Sequence, residues 1–503
     1  MAAQIQVSGV RSIRNLALVS LAAGVPRVIG ALFFGKEAFG DAYCYIEQVS
    51  AMRGKMVAGT FSVADLSGFW LPLYQFVCAI VSIAINQPLY VGRFVSAVAG
   101  TGVCILVYLC SLILTSSQRW SVVAALAIAL NPFHLQYSYA AMTDIPHALV
   151  VMACMYFVLK ERWTLAACLG AAAGLVRVDS WLLVALVPAI QFMRQRKVPI
   201  LSILILSFVP AFWLFVCWKA TGDALASFHA HDQYVLARIA AHPGVNRITF
   251  VRTMADADRL VYSMNIAVLV GCFTGLWFVF RDWRKSASHD ELLRIPNLLV
   301  CLLYFFAYLG FFALAYLTKN QSDIWPRYGL ILFALGMPVL AYSLQQSLRH
   351  SSVVAKAALG TALVIGLVQF KIQAEDLTRF ASQTTRAYAI ANYLKQEYAS
   401  DRSIKVFCDS PEVRVLSGIP REQFFDSSGG APKDNEGFLG FLRAKGVKFL
   451  MIPEEPETST PSQLFPGLVK ETGDVLEGVI PAPDDRRTDS LYRVRAEQLP
   501  PPR

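Results

Sequence analysis

Apolar runs of bilayer-crossing length dominate this sequence. A membrane helix needs about 20 consecutive, mostly apolar residues. Such runs recur at about 14–35, 88–114, 199–218, 260–280, 296–317, 327–344 and 353–371. Only 16% of the residues are charged, against about 25% in a soluble domain, and mean hydropathy is +0.48. The expected fold class is an α-helical polytopic membrane protein.

Basic residues then fix a topology. The run Phe69–Ile85 is short and opens FWLP, so it reads either as a span or as a helix half-buried at the outer surface. If it is half-buried, Arg119, Lys160, Arg162, Arg194–Lys197, Arg281–Lys285 and Arg349 fall on one side with Arg11 and Arg14. If it spans, every later basic loop changes side and the positive-inside rule fails. The half-buried reading therefore predicts about eleven transmembrane helices, with the N-terminus cytoplasmic. The first run is longer than a signal-peptide core and carries no small-residue cleavage site, so a retained first helix is expected. Asp41, Asp144, Arg177, a long polar loop at about 219–258 and Arg327 all fall outside.

The net charge of +10 is carried mainly by these short loops. No dense Lys/Arg run lies on a soluble segment, so nucleic acid is not an expected partner. Of ten cysteines, eight sit in apolar runs, Cys44 in a surface helix and Cys408 in the tail. With no CxxC pair and no zinc spacing, they read as small core residues.

The character changes near residue 372. Residues 1–374 are expected to form the transmembrane domain and 375–503 a small extracytoplasmic α/β domain. Ile404–Cys408, Val413–Leu416 and Val447–Ile452 read as strands, and Ala387–Tyr398 and Gly437–Lys445 as helices. The Pro- and charge-rich stretch Asp484–Arg503 reads as a frayed end.

Candidate chemistry collects at the outer face. In DAYCYIEQVSAMRG, Asp41 opens a helix on which Tyr45, Ile46, Val49 and Met52 recur at helical spacing, and Gly54 and Gly59 are expected to break it. Such a helix beside a span should lie along the bilayer surface, holding Asp41 near lipid headgroups. Asp144, in AAMTDIPHAL, reads as a helix-capping acid or as a second carboxylate at the same face. Two such acids can act as base and partner, or hold a divalent cation such as Mg or Mn. Arg177 and Asp179 interrupt an apolar region, as a structural pair or as the lining of a site. Arg93 and Arg327 could grip a phosphate or snorkel to headgroups. Arg27 reads as a packing residue. His229, His231 and Asp232 look like a metal cluster only on paper, because His at i, i+2 diverge. Trp70, Tyr74 and Tyr90 could stack on sugar rings or serve as interface aromatics.

The ordered set resembles the GT-C superfamily of integral-membrane glycosyltransferases, which includes oligosaccharyltransferase catalytic subunits, protein O-mannosyltransferases and aminoarabinose transferases. The acid-led loop DAYCYIEQVSAMRG, the juxtamembrane SGFWLPLYQF, the Arg-entered span VGRFVSAVAGTGVCILVYLC, AAMTD and PRYGLILFALGMP follow the family order over about residues 1–345. The resemblance implies an inverting transfer of sugar from a polyprenyl-phosphate donor. The acceptor would be a lipid, a cell-envelope glycan or a protein hydroxyl. It further implies Asp41 as general base, Asp144 orienting the acceptor or helping to bind a metal, and Arg93, Arg177 and Arg327 on the donor phosphate. Tyr45, Glu47, Trp70 and Tyr328 would line the substrate site. The implied location is the inner (plasma) membrane, with the tail outside. Leu71 stands where some relatives carry a Lys before the Pro, and a sequon-binding motif is absent, which argues against protein N-glycosylation. Two other classes compete: a transporter or flippase of lipid-linked sugars, and a membrane-anchored envelope assembly protein.

Overall fold

The computed structural model describes residues 2–34, 36–241, 250–284, 289–318, 325–349, 352–382, 385–454, 459–464, 467–471, 475–481 and 488–495. It divides into two compact units, one of Met1–Ala230 with Arg247–Ala381, the other of His231–Asn246 with Ser382–Arg503. The helix Val353–Ser382 runs unbroken through the expected boundary at 374/375.

The first unit is a multi-pass helical bundle. Among the described residues six helices are long and apolar enough to cross a bilayer: Ile13–Phe33, Pro88–Thr115, Ile200–Thr221, Ile295–Leu317, Pro326–Arg349 and Val353–Phe380. Two bent pairs pass the same criterion, Pro132–Tyr139 with Asp144–Leu159 (106°) and Thr253–Met264 with Ile266–Arg281 (87°). By length and composition this makes six to eight crossings, against the eleven expected, with Leu73–Ala84, Gln118–Leu130 and Trp163–Val176 as shorter apolar helices. Leu73–Ala84 has 12 residues, about 18 Å of helix, too short for a core of about 30 Å. That length agrees with the half-buried reading of Phe69–Ile85. Helix Gly329–Arg349 is buried along almost its whole length, as expected of a helix that is apolar all round.

Several local expectations change. Helix Asp41–Val57 runs straight through Gly54. Mid-helix glycine costs only about 1 kcal/mol, and the buried face of Tyr45, Ile46, Val49 and Met52 outweighs it. The chain turns at Gly59, whose φ is +70°. The polar stretch 219–258 is mainly helical, with helices at Ala226–Ala241 and Phe250–Met264; 242–249 lie outside the described residues. None of the ten cysteines forms a disulfide.

Among the described residues the second unit carries a five-stranded sheet: β1 (Val406–Phe407), β2 (Phe424–Phe425), β3 (Phe449–Ile452), β4 (Leu476–Ile480) and β5 (Ser490–Val494), in the order β2-β1-β3-β5-β4. β1 pairs parallel with β2 and β3, whereas β5 pairs antiparallel with β3 and β4. Alternation along β3 feeds two cores. Leu450 and Ile452 pack with Phe438 and Leu442 of helix Asn435–Lys445, and Phe449 and Met451 pack with Ile390 and Leu394 of helix Arg386–Ser400. Val413–Leu416, expected as a strand, is helical within Pro411–Ser417. Ser410 caps it by accepting from the Val413 amide, Pro411 opens it, and Gly418 ends it at φ +67°. These start and stop signals outweigh the β-preference of two valines. Within Asp484–Arg503, expected to fray, Ser490–Val494 instead forms β5 between β3 and β4, because Leu491, Tyr492 and Val494 are buried in the sheet's cores; 484–487 and 496–503 lie outside the described residues.

Candidate active site

Two acids and two arginines from four separate segments meet in the first unit. Asp41 is the first residue of its helix, and its Oδ2 accepts from Arg327 Nη1 at 2.8 Å. Asp144 opens helix Asp144–Leu159, and its Oδ1 accepts from Arg177 Nη1 at 3.1 Å. Tyr328 joins the two pairs. The Arg177 guanidinium lies 5.5 Å from the Tyr328 ring centre and that of Arg327 5.9 Å, within cation–π range. The ring itself stacks on Phe312 at 5.2 Å. Asp144 lies within the electrostatic reach of Arg177, Arg327, Asp41 and Asp179 together.

The local sequence explains each placement. The chain breaks at Ala140–Thr143 between two helices at 106°, so Asp144 emerges at a buried helix start. Arg177 caps the C-terminal end of helix Trp163–Val176 in extended conformation, before the short turn Val178–Leu182. Arg327 lies in the turn Pro326–Tyr328 that leads into the buried helix Gly329–Arg349. Arg327 also covers Phe39, 4.5 Å from the ring centre, and Phe39 packs edge-on against Trp325.

Aromatics line the same neighbourhood. Tyr45 sits one turn after Asp41, with its hydroxyl 3.4 Å from Thr143 Oγ1. Trp70 and Tyr74 meet its ring edge-on at 4.9 and 6.0 Å. Glu47 is half-buried on the same helix, but six residues from Asp41 places it on a different face.

Within this cluster two buried polar atoms are left over: Arg327 Nε, a donor, and Asp144 Oδ2, an acceptor. Buried polar groups are normally paired. One spare donor and one spare acceptor in a cluster otherwise closed by ion pairs suit a ligand with an anionic oxygen and a hydroxyl.

A second layer braces Arg177. Its Nε donates to both oxygens of Asp179 at 3.3 Å. His147, one turn beyond Asp144, brings Nε2 to 2.6 Å from Ser180 Oγ and 3.6 Å from Asp179 Oδ1. Ser180 Oγ lies in turn 2.7 Å from the Tyr308 hydroxyl. His147, Ser180 and Tyr308 carried no signal in the sequence beyond lying near Asp144 and Arg177.

Arg93 stands apart from this cluster. It is 4% exposed and donates from Nε to Glu37 at 2.5 Å and from Nη1 to the Phe34 carbonyl at 2.7 Å. Glu37 passed unmarked in the sequence; burial raises its pKa, while Arg93 and the Ala141 amide pull it back. Arg27 is fully buried and bonds the Ala23 and Ala129 carbonyls and His134, as a packing residue should. His229 turns to Asp223 at 2.7 Å. Among the described residues no group of three or more His, Cys, Asp or Glu side chains is placed to hold a metal.

No family model matches the chain, and no curated protein matches its sequence. Solved structures do. ArnT from Cupriavidus metallidurans in the apo state superposes with a TM-score of 0.61 at 12% identity, covering 100% of both chains. The same protein bound to undecaprenyl phosphate gives 0.55 at 11%, covering 96% of this chain and 97% of that one. The oligosaccharyltransferase of Archaeoglobus fulgidus, in complex with Zn and sulfate, gives 0.52 at 12%, covering 97% of this chain and 74% of that one. At such identities the likeness is one of fold. In fold, the chain is a polytopic helical membrane protein with the architecture of ArnT.

Proposed function

We propose that the protein transfers a sugar from a polyprenyl-phosphate donor to a hydroxyl acceptor at the extracytoplasmic face of the membrane. The observation that carries this reading is the cluster of Asp41–Arg327 and Asp144–Arg177 about Tyr328, in a GT-C fold. One such neighbour was solved bound to undecaprenyl phosphate. Another, AglB from Archaeoglobus fulgidus, was solved with an inhibitory peptide and a dolichol-phosphate.

In this mechanism Asp41 takes the proton of the acceptor hydroxyl. The hydroxyl oxygen attacks the anomeric carbon, the bond from that carbon to the phosphate oxygen breaks, and configuration inverts. Asp144, through its spare oxygen, orients the acceptor. Arg327, through its spare Nε–H, and Arg177 meet the charge that grows on the leaving lipid phosphate. Donors aimed at developing charge in a water-poor site are usually the largest contribution to such catalysis. Tyr45 and Trp70 present ring surface to the sugar. Arg93, committed to Glu37, supports the site from outside the phosphate pocket. The protein would lie in the inner (plasma) membrane with residues 382–503 outside.

The test is transfer of radiolabelled sugar from a polyprenyl-phosphate donor in membranes. Asp41→Asn should abolish transfer while expression and folding persist. Undiminished transfer would remove Asp41 from the mechanism. Mass spectrometry of envelope glycolipids with and without the gene would identify the acceptor.

A further inference from the structure

We infer that Glu37 and Arg93 form a clamp whose task is to hold the loop that presents Asp144, making Glu37 a positioning residue for the reaction. The inference rests on the transferase reading in so far as it concerns turnover.

The observations are geometric. Glu37 lies just beyond the first membrane helix, yet its side chain is fully buried. Each carboxylate oxygen has one partner. Oε1 accepts from Arg93 Nε at 2.5 Å, and Oε2 accepts from the Ala141 backbone amide at 2.6 Å. Arg93 is itself anchored to the Phe34 carbonyl at 2.7 Å, so the clamp is tied to the end of the first helix. Ser96, nearly one turn beyond Arg93, donates to the Met142 carbonyl at 3.2 Å. Consecutive loop residues 141 and 142 are thus gripped by one acid and one hydroxyl.

That loop is where the chain turns by 106° between Pro132–Tyr139 and Asp144–Leu159. Its internal backbone bond runs from the Met142 amide to the Ala140 carbonyl at 2.8 Å. A buried loop of four residues without helical pairing needs outside partners for its amides. Asp144 begins three residues after the gripped Ala141. A carboxylate is the strongest neutral-pH acceptor for a backbone amide, and a buried carboxylate needs a counter-charge. Arg93 supplies it. This accounts for a buried ion pair that touches neither Asp41 nor Asp144.

The experiment has two arms on the full-length protein in detergent or nanodiscs. Hydrogen–deuterium exchange of peptides covering 138–146 needs no substrate. In Glu37→Leu, exchange should rise by at least about tenfold in this segment and stay unchanged in helix Gly329–Arg349. Donor-saturated turnover should fall by about 100-fold, the scale of a small misplacement of a reacting group, with donor KM within about twofold. Glu37→Gln keeps an acceptor oxygen for the Ala141 amide and should lose less kcat than Glu37→Leu. It also serves if Glu37→Leu does not fold, because its own loop exchange and kcat should change in the same sense. Unchanged exchange at 138–146, or a folded variant with normal kcat, overturns the clamp. Exchange rising equally across the bundle also overturns it, since that marks a merely structural role. Absence of transfer by the wild-type protein would count against the transferase reading, and the exchange arm would still decide whether Glu37 holds the loop.

Discussion

Asp41 and Arg327 are 286 residues apart in the chain and 2.8 Å apart in space. The pair joins the carboxylate proposed as base to a guanidinium proposed for the leaving phosphate. Each group therefore occupies the other before substrate arrives. A phosphate that takes Arg327 also releases Asp41. Asp41→Asn should then have two opposite effects: loss of transfer, and tighter binding of polyprenyl phosphate. Hydrogen bonds to charged groups are worth about 1.5–3 kcal/mol, and about 1.4 kcal/mol is tenfold in affinity, so a gain of about tenfold is expected. Titration of a polyprenyl phosphate into both proteins checks it. Equal or weaker binding by the variant would mean that the two anions do not compete for Arg327.

Arg177 sits between two buried carboxylates, Asp144 at 3.1 Å and Asp179 at 3.3 Å. Replacing it leaves both acids without their cation. Breaking a buried pair in this way costs about 3–5 kcal/mol. Arg177→Met should lower the melting temperature clearly and abolish transfer. Arg177→Met/Asp179→Asn should recover part of the stability and none of the activity. Thermal melts followed by tryptophan fluorescence, paired with the transfer assay, separate the two effects.

Gly329 follows the turn that carries Arg327 and Tyr328. A Cβ there would lie 2.0 Å from Ser263 Oγ, 2.8 Å from the Met264 amide nitrogen and 2.9 Å from the Leu260 carbonyl oxygen. Two of those are backbone atoms that cannot swing aside. Gly329→Ala should therefore push the Pro326–Tyr328 turn away from helix Phe250–Met264 and shift Arg327. Overpacking costs about 1–3 kcal/mol; the loss of kcat should exceed what that instability explains. Full kcat in a folded Gly329→Ala protein would mean that the turn tolerates displacement.

Sidedness is open to chemical labelling, though not at Cys408, which is fully buried. Lys433 is exposed in the second unit. Lys433→Cys should react with a membrane-impermeant maleimide added to intact cells after outer-envelope permeabilisation. Reaction only in inverted vesicles would reverse the proposed orientation.

What could be read directly was whatever depends on local composition and period. Membrane helices announce themselves by apolar runs, because lipid rewards only apolar surface and internally bonded backbone. The buried face of Asp41–Val57 followed from helical spacing, and β3 from its unbroken apolar run. Asp41, Asp144, Arg177 and Arg327 stood out because charge at a membrane boundary is costly and so conspicuous. That they share one face of the membrane was an expectation from counting crossings. Arg93 showed the limit of that reasoning. Its position in a span marked it as unusual, but nothing nearby in sequence named Glu37, 56 residues away, as the acid that claims it.

The sequence by itself therefore determined the class, the long apolar helices and which charged residues needed an explanation, since each of these depends on the transfer of a residue or a short run from water. Only the tertiary structure decided the partners: Asp41 with Arg327, Asp144 with Arg177, Glu37 with Arg93, and Tyr328 between two guanidiniums. Pairing is a property of distance in space. In a bundle whose contacts join helices hundreds of residues apart, neither spacing nor composition carries that information.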